Sequence, residues 1–187
     1  MTDSTRTTSE AKLYTPSASR LAALFFSELA EIGQFEPAAL DNLPEPYQNL
    51  LAHNEHMTVA LESFHKSPVT VDALAEWRDD ASYARASLLR RQSDRTVVQF
   101  GIMRIWLADL PAAAQDEIAE KKAPLGRVLI DHDLLREVEL ITLWEIMPGP
   151  VLQQHLGVSD KSPIYGRTAQ ILVDERPTVQ LLEIVKL

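Results

Sequence analysis

The 187-residue chain has no cysteine, which removes disulfides, a thiolate nucleophile and a Cys-based zinc site, and suits a reducing compartment. Glycine is scarce: six residues that form neither a phosphate-binding loop nor a dinucleotide fingerprint. Basic charge is in deficit. Eighteen Lys and Arg against 27 Asp and Glu give a net charge of -9, whereas a nucleic-acid surface needs clustered cations to neutralise phosphates. No stretch approaches the roughly 18 apolar residues of a spanning helix. The Ser/Thr-rich segment from Met1 to Ser9 also lacks the apolar region of a signal peptide. No Gly-x-Ser-x-Gly elbow is present for a hydrolase triad. These absences predict a cytoplasmic protein with no nucleic-acid partner and no membrane span. The sequence carries no signal of oligomeric state.

What is present fits one globular domain, with 45% hydrophobic and 24% charged residues. Residues 1–17 have almost no apolar periodicity and read as a disordered polar tail, leaving 18–187 as the domain. Leu21, Leu24, Phe25, Leu29 and Ile32 recur at helical spacing and Gly33 follows as a stop, which predicts an amphipathic helix. A Pro-marked loop from Pro37 to Pro46 follows, then a short helix around Tyr47, Leu50 and Leu51 that ends before His53. From Pro68 the period changes to 2, with Val69, Val71 and Ala73 alternating against polar neighbours.

Tyr83 to Arg91 and Thr96 to Leu107 flank the polar turn Gln92-Ser93-Asp94-Arg95 and predict a hairpin. Helices are expected from Pro111 to Lys121, from Pro124 and from Gly149 to Leu156, and a long strand from Leu134 to Met147. A second hairpin joins Ile164–Val173 to Thr178–Val185. Hairpin-joined strands with helices outside them indicate an antiparallel α+β fold.

Several of these strands carry charge on a face that is otherwise apolar, because side chains two apart share a face. Glu183 aligns with Val179, Leu181 and Val185; Arg167 with Tyr165, Ala169, Ile171 and Val173; Arg104 with Val98, Phe100, Ile102 and Trp106. Arg85 stands on a mixed face with Tyr83, Ser87 and Leu89. An unpaired buried charge costs several kcal/mol, so such residues meet either each other or a charged ligand. A closed pocket for a small anion is one reading; structural Arg–Glu bridges are the other. His53, Glu55, His56 and His65 lack the His-Glu-x-x-His spacing of a zinc site and are read as solvated or capping residues, so no metal is expected. Trp77, Trp106 and Trp144 are read as packing residues.

Four segments resemble the chorismate lyase family: Met57-Thr58, Arg85 ahead of Leu88-Leu89, Lys122 to Leu129 with its Pro-Leu-Gly-Arg string, and the Tyr165-to-Glu183 hairpin. The resemblance covers about residues 40–187 and implies a single-domain, six-stranded antiparallel sheet whose flanking helices seal the site. It implies a catalytic role for Arg85, holding a ring carboxylate with help from backbone N–H groups near Met57 and Thr58. It implies one for Glu183 at the ring hydroxyl, beside the backbone at Leu125 and Gly126. The reaction implied is cofactor-independent: chorismate, a dianion, loses enolpyruvate and a ring proton to give pyruvate and 4-hydroxybenzoate, a step of ubiquinone biosynthesis. Such chemistry asks for cation clamps and a carboxylate rather than a nucleophile. Arg104 and Arg167, from strand-face geometry, are candidates for the enolpyruvyl carboxylate. Among apolar neighbours, Glu183 is expected to have a raised pKa and to relay the proton.

The alternative is a non-catalytic module that binds a small aromatic carboxylate, since effector-sensing domains of bacterial transcription regulators use the same fold. Those are normally joined to a winged-helix domain, which the residues before about position 45 are too few and too little basic to supply. The enzyme is therefore the preferred reading of the sequence.

Overall fold

The computed structural model describes residues 15–134, 137–173 and 175–187. Residues 1–14 of the expected tail, two residues of the long predicted strand and the first residue of the second hairpin's turn lie outside the described residues. The strands are β1 (Gly33–Ala38), β2 (Val69–Arg78), β3 (Tyr83–Arg91), β4 (Val97–Ile105), β5 (Glu137–Pro148), β6 (Ile164–Val173) and β7 (Arg176–Val185). They pair antiparallel in the order β1-β5-β6-β7-β4-β3-β2. The helices are α1 (Ala18–Ala22), α2 (Glu45–Leu51), α3 (Met57–His65), α4 (Ala112–Glu120), α5 (Leu125–Asp131) and α6 (Pro150–Leu156). None among the described residues is long and apolar enough to cross a membrane.

The sheet has seven strands rather than the expected six, and the difference lies in β1. Pro37 reads as a loop marker, yet proline is tolerated on an edge strand, and Pro37 sits at the sheet edge opposite Trp144. Gly33 is not a helix stop. It opens β1 because a Cβ there would lie 2.6 Å from Met147 O on the partner strand. The long N-terminal helix is likewise broken after Ala22. The Glu31 carboxylate accepts the N–H groups of Ser27 and Glu28 at 2.8 and 3.1 Å, capping a separate 3-10 turn over Leu29–Glu31. Helix α3 was not expected at all. It ends at Lys66 with φ 50, a left-handed cap without the glycine that announces one in sequence.

The β2–β3 and β3–β4 turns are each organised by an aspartate. Asp79 Oδ1 accepts the N–H groups of Ala81 and Ser82 at 2.9 and 2.6 Å between β2 and β3. Between β3 and β4, Asp94 Oδ1 accepts the N–H of Thr96 at 3.1 Å.

Alternation divides most strand positions between two faces, with register shifts at Ala73/Ala75, Leu89/Arg90, Leu140/Thr142 and Ile171/Leu172. Beside the shift in β3–β4 pairing, Val98 packs with Leu89 and Val185 rather than on the expected face with Phe100 and Ile102. Ala86, Leu88, Phe100, Ile102, Leu182 and Ile184 pack under α1 and α6 on one face. On the other face, Tyr83, Met103, Ile171 and Leu181 pack under α4 and α5, while Leu89, Tyr165 and Val185 pack under α2 and α3. The second face therefore carries two adjacent cores with a helix pair over each.

Gly166, the third residue of β6, is a close approach between central strands: a Cβ there would stand 2.6 Å from Glu183 O and 3.1 Å from Ile184 Cα, both backbone. Gly166→Ala is expected to destabilise the fold by about 1–3 kcal/mol, the usual range for overpacking. Urea unfolding measures this, and an unchanged midpoint would refute the packing assigned to β6.

Candidate functional site

A cavity lies between the two helix pairs on the second face of the sheet. Arg85, Arg167, Glu183, Met57, Thr58, Leu125 and Gly126 all border it. Its volume is about 60 Å³.

The sheet places the charged side chains by register. Ser87, Gly101 and Glu183 stand side by side across β3, β4 and β7, and Arg85, Met103 and Leu181 form the next row on the same face. Gly101 leaves the cavity floor flat between Ser87 and Glu183. Arg167 is directly opposite Glu183 on β6.

Arg167 and Glu183 form a buried ion pair, with Arg167 Nε donating to Glu183 Oε2 at 2.7 Å and the arginine side chain 0% exposed. The remaining guanidinium donors reach the end of α2 and the chain beyond it: Nη1 to Leu51 O at 3.2 Å and His53 O at 2.8 Å, Nη2 to Glu55 O at 3.1 Å. Arg167 is thus committed to the protein. Glu183 is not the isolated carboxyl expected from its apolar strand neighbours.

Arg85 is the opposite case. It is 2% exposed, and its Nε and Nη1 have no hydrogen-bond partner. Burial lowers its pKa below the ordinary arginine value while Tyr83 and Glu76 act against that shift. A guanidinium retains its charge in proteins nonetheless. Arg85 is therefore a cation that faces a cavity with donors to spare.

The roof is made by the N-terminal ends of α3 and α5. They touch because residue 126 is glycine: a Cβ there would lie 2.8 Å from Thr58 Oγ1 and 3.3 Å from His56 Nδ1. Arg127 Nη2 holds α5 to α3 through Glu62 Oε2 at 2.6 Å. The first residues of both helices, Met57 and Thr58 of α3 and Leu125 and Gly126 of α5, border the cavity, and the first amides of a helix have no intrahelical acceptor.

Arg104 is not brought to the cavity. Within its strand it shares a face with Phe100 and Ile102, but the register puts that face under α1 and α6, on the far side of the sheet from Arg85. Its guanidinium lies between the rings of Trp77 and Trp106, 5.5 and 5.0 Å from their centroids. It donates to Ser82 Oγ at 2.9 Å and pairs with Asp79 at 3.5 Å. The two tryptophans read as packing residues thus hold an arginine.

Two cavity residues escaped the sequence reading as ligand contacts. His56 and Gln99 both border the cavity, both are buried, and His56 Nε2 and Gln99 Oε1 have no hydrogen-bond partner. In sequence Gln99 is a polar residue in line with Gly101 and Met103; His56, read there as solvated or capping, is the N-cap residue of α3 but is buried and makes no side-chain cap hydrogen bond. Among the described residues no cluster of three or more His, Asp or Glu could hold a metal ion. His53 instead bonds Leu50 O through Nε2 at 2.8 Å.

No protein-family model matches the chain, and no curated protein sequence matches it significantly. Solved structures do. PhnF from Mycobacterium smegmatis superposes with a TM-score of 0.55 at 11% identity, over 70% of this chain and 63% of that one. The present chain therefore spans less than two thirds of PhnF. The ligand-binding domain of a candidate GntR-family transcriptional regulator from Bordetella bronchiseptica superposes with a TM-score of 0.50 at 12% identity, over 63% of this chain and 85% of that domain. At these identities the likeness is one of fold: an antiparallel α+β fold shared with a GntR-family ligand-binding domain.

The two cavity arginines should respond oppositely to the same substitution. Arg167→Met strands a buried carboxylate and is expected to cost about 3–5 kcal/mol. Arg85→Met removes an unpaired buried charge and is expected to raise stability by on the order of 1 kcal/mol. Chemical unfolding of both variants checks this, and equal losses would refute the asymmetry.

A pH dependence follows from the histidines. Burial holds the pKa values of His53, His56 and His65 below the ordinary histidine value, with Glu183 acting against that shift at His56. A depressed histidine pKa means that the unfolded chain binds the extra proton first. The contribution is complete above about pH 6.5, the unfolded value, and declines as pH falls through the folded value. For His56 the slope is up to about 1.4 kcal/mol per pH unit within that window. Tm is expected to fall between pH 7.5 and 5.5, less steeply in His56→Asn; the same slope in that variant would show that His56 does not titrate this way.

Proposed function

We propose that this chain binds a small aromatic carboxylate in the cavity as a ligand-sensing module, with Arg85 as the carboxylate-binding group. The observation that carries this is the buried Arg85 guanidinium, which lacks a protein partner for two of its donors. Its planar fork suits bidentate capture of a carboxylate. The shared fold with a GntR-family ligand-binding domain supports a binding rather than a catalytic role. A cytoplasmic location belongs to the same proposal.

The charge inventory also favours binding over lyase chemistry on chorismate. A dianion needs two cation clamps. Of the three arginines considered, Arg104 lies behind the sheet and Arg167 is held by Glu183 and three backbone carbonyls, so Arg85 alone has donors to offer.

The lyase is the second reading, and one observation favours it. Arg85, Glu183, Met57, Thr58, Leu125 and Gly126, the set implied by the resemblance to chorismate lyases, border a single cavity. One experiment separates the two. Purified protein is titrated calorimetrically with benzoate, then incubated with chorismate without added metal while 4-hydroxybenzoate and pyruvate are followed. The expected result is saturable benzoate binding, weakened roughly 10- to 100-fold in Arg85→Met for loss of a charge-assisted hydrogen bond, and no turnover above background. Sustained Arg85-dependent turnover would establish the lyase instead.

A further inference from the structure

The sheet offers Arg85 a cross-strand ion pair that is left unmade. Glu76 on β2 stands directly opposite Arg85 on β3, and residues so placed in an antiparallel pair share a face, with Cβ atoms about 4.5–5.5 Å apart. Opposite charges in that arrangement stabilise a sheet when they meet. Here they do not meet. Arg85 Nε and Nη1 have no hydrogen-bond partner, and Glu76 Oε1 accepts from Lys121 Nζ instead.

An irregularity in β2 puts Glu76 in this position. Val71 is opposite Leu89 and Ala73 opposite Ser87, so unbroken pairing would bring Ala75 opposite Arg85. Leu74 is an extra residue in the strand: Ala75 falls opposite Ala86, and Glu76 takes the place across from Arg85. Bulges of this kind re-aim side chains.

Lys121 is placed as deliberately. It ends α4 in the left-handed conformation, with φ 59, just ahead of the cavity-bordering residues Pro124, Leu125 and Gly126. The side chains of Glu76 and Lys121 are each 40% exposed, so their clasp lies at the surface while Arg85 is buried. Glu76 does not border the cavity, yet it is the carboxylate whose charge acts on Arg85. The Tyr83 hydroxyl, two residues along the same face of β3, is buried without a partner and lies within electrostatic reach of both. A Glu76 carboxylate turned from Lys121 towards Arg85 would supply the acceptor that the guanidinium and the tyrosine hydroxyl lack.

Resting on the carboxylate-binding reading of Arg85, we infer that Glu76 is an internal competitor for the ligand's carboxylate and that Lys121 is the positioning residue that holds it off. With Glu76 on Lys121 the guanidinium is open to an anion; with Glu76 on Arg85 it is already neutralised. Apparent affinity then follows the fraction of molecules in the first arrangement. A surface clasp thereby sets the strength of a buried site.

The test is calorimetric titration of the full chain with benzoate, using Lys121→Met, Glu76→Gln, the double variant and Lys121→Arg. Lys121→Met is expected to weaken binding roughly tenfold or more, the value of one charge-assisted hydrogen bond. Lys121→Arg keeps the clasp and is expected to change affinity by about twofold or less, the range within which independent effects are lost. Glu76→Gln is expected to stay within about the same twofold while Lys121 is present, yet to recover most of the lost affinity when added to Lys121→Met. Two fixed charges acting through their fields would instead be additive, with Glu76→Gln tightening binding by one factor in both backgrounds. Equal factors overturn the inference and leave the Arg85 site standing, as does unchanged binding in Lys121→Met. Binding that appears only once Glu76 is replaced overturns the role of Lys121. Binding by none of the proteins overturns both the inference and the reading beneath it.

Discussion

The pair between Arg167 and Glu183 is the constraint on which the site depends. It joins two neighbouring central strands at their side chains, and it also reaches out of the sheet. Through Leu51 at the end of α2, and His53 and Glu55 beyond it, the guanidinium fixes the backbone that leads from α2 to α3. That segment has no regular structure to satisfy its carbonyls, so a buried arginine supplies the donors that secondary structure would otherwise provide. The position of His56, and with it the start of α3, follows from this anchor. A buried pair is weak evidence for net stability. Here its geometric effect is clear: it ties the roof of the cavity to the floor.

Arg85 shows the same residue type under the reverse condition. Both arginines project from one face of the sheet and both are buried, but one is matched by acceptors and the other is not. A matched arginine shapes the fold; an unmatched one lowers its stability unless something else arrives. The rest of the domain bears that cost through two apolar cores flanking the cavity and a third behind the sheet. A buried cation with unmatched donors at the wall of a cavity fits a site prepared for a partner of opposite charge.

Much of this was legible in the sequence. Alternation and turn chemistry located β2 to β7, because each rests on local patterns that tertiary contacts did not overturn. The failures have specific causes. β1 was hidden by Pro37 at an edge and by a glycine chosen for close packing rather than for a turn. Helix α3 was hidden because a lysine supplies its left-handed cap. Alternation grouped Arg104 correctly with Phe100 and Ile102 but could not say which side of the sheet that group would occupy; only strand pairing decides this. The gathering of Arg85, Glu183, Thr58 and Gly126 about one cavity was anticipated through resemblance to a family rather than through pattern. The difference between Arg85 and Arg167, and the unmet atoms of His56 and Gln99, depend on contacts between residues far apart in the chain, which no local pattern encodes.

The contact at Gly126 bears on how anything enters the cavity. Where a pocket is closed by a long side chain, a rotamer change opens it within picoseconds to nanoseconds. Here the closing surface includes the backbone of Gly126 set against the Thr58 hydroxyl, and a glycine has no rotamer to change. Passage at that seam requires two helices to part, a collective displacement belonging to the microsecond-to-millisecond regime. Exchange by this route would be timed by the scaffold rather than by the affinity of the polar contacts inside it.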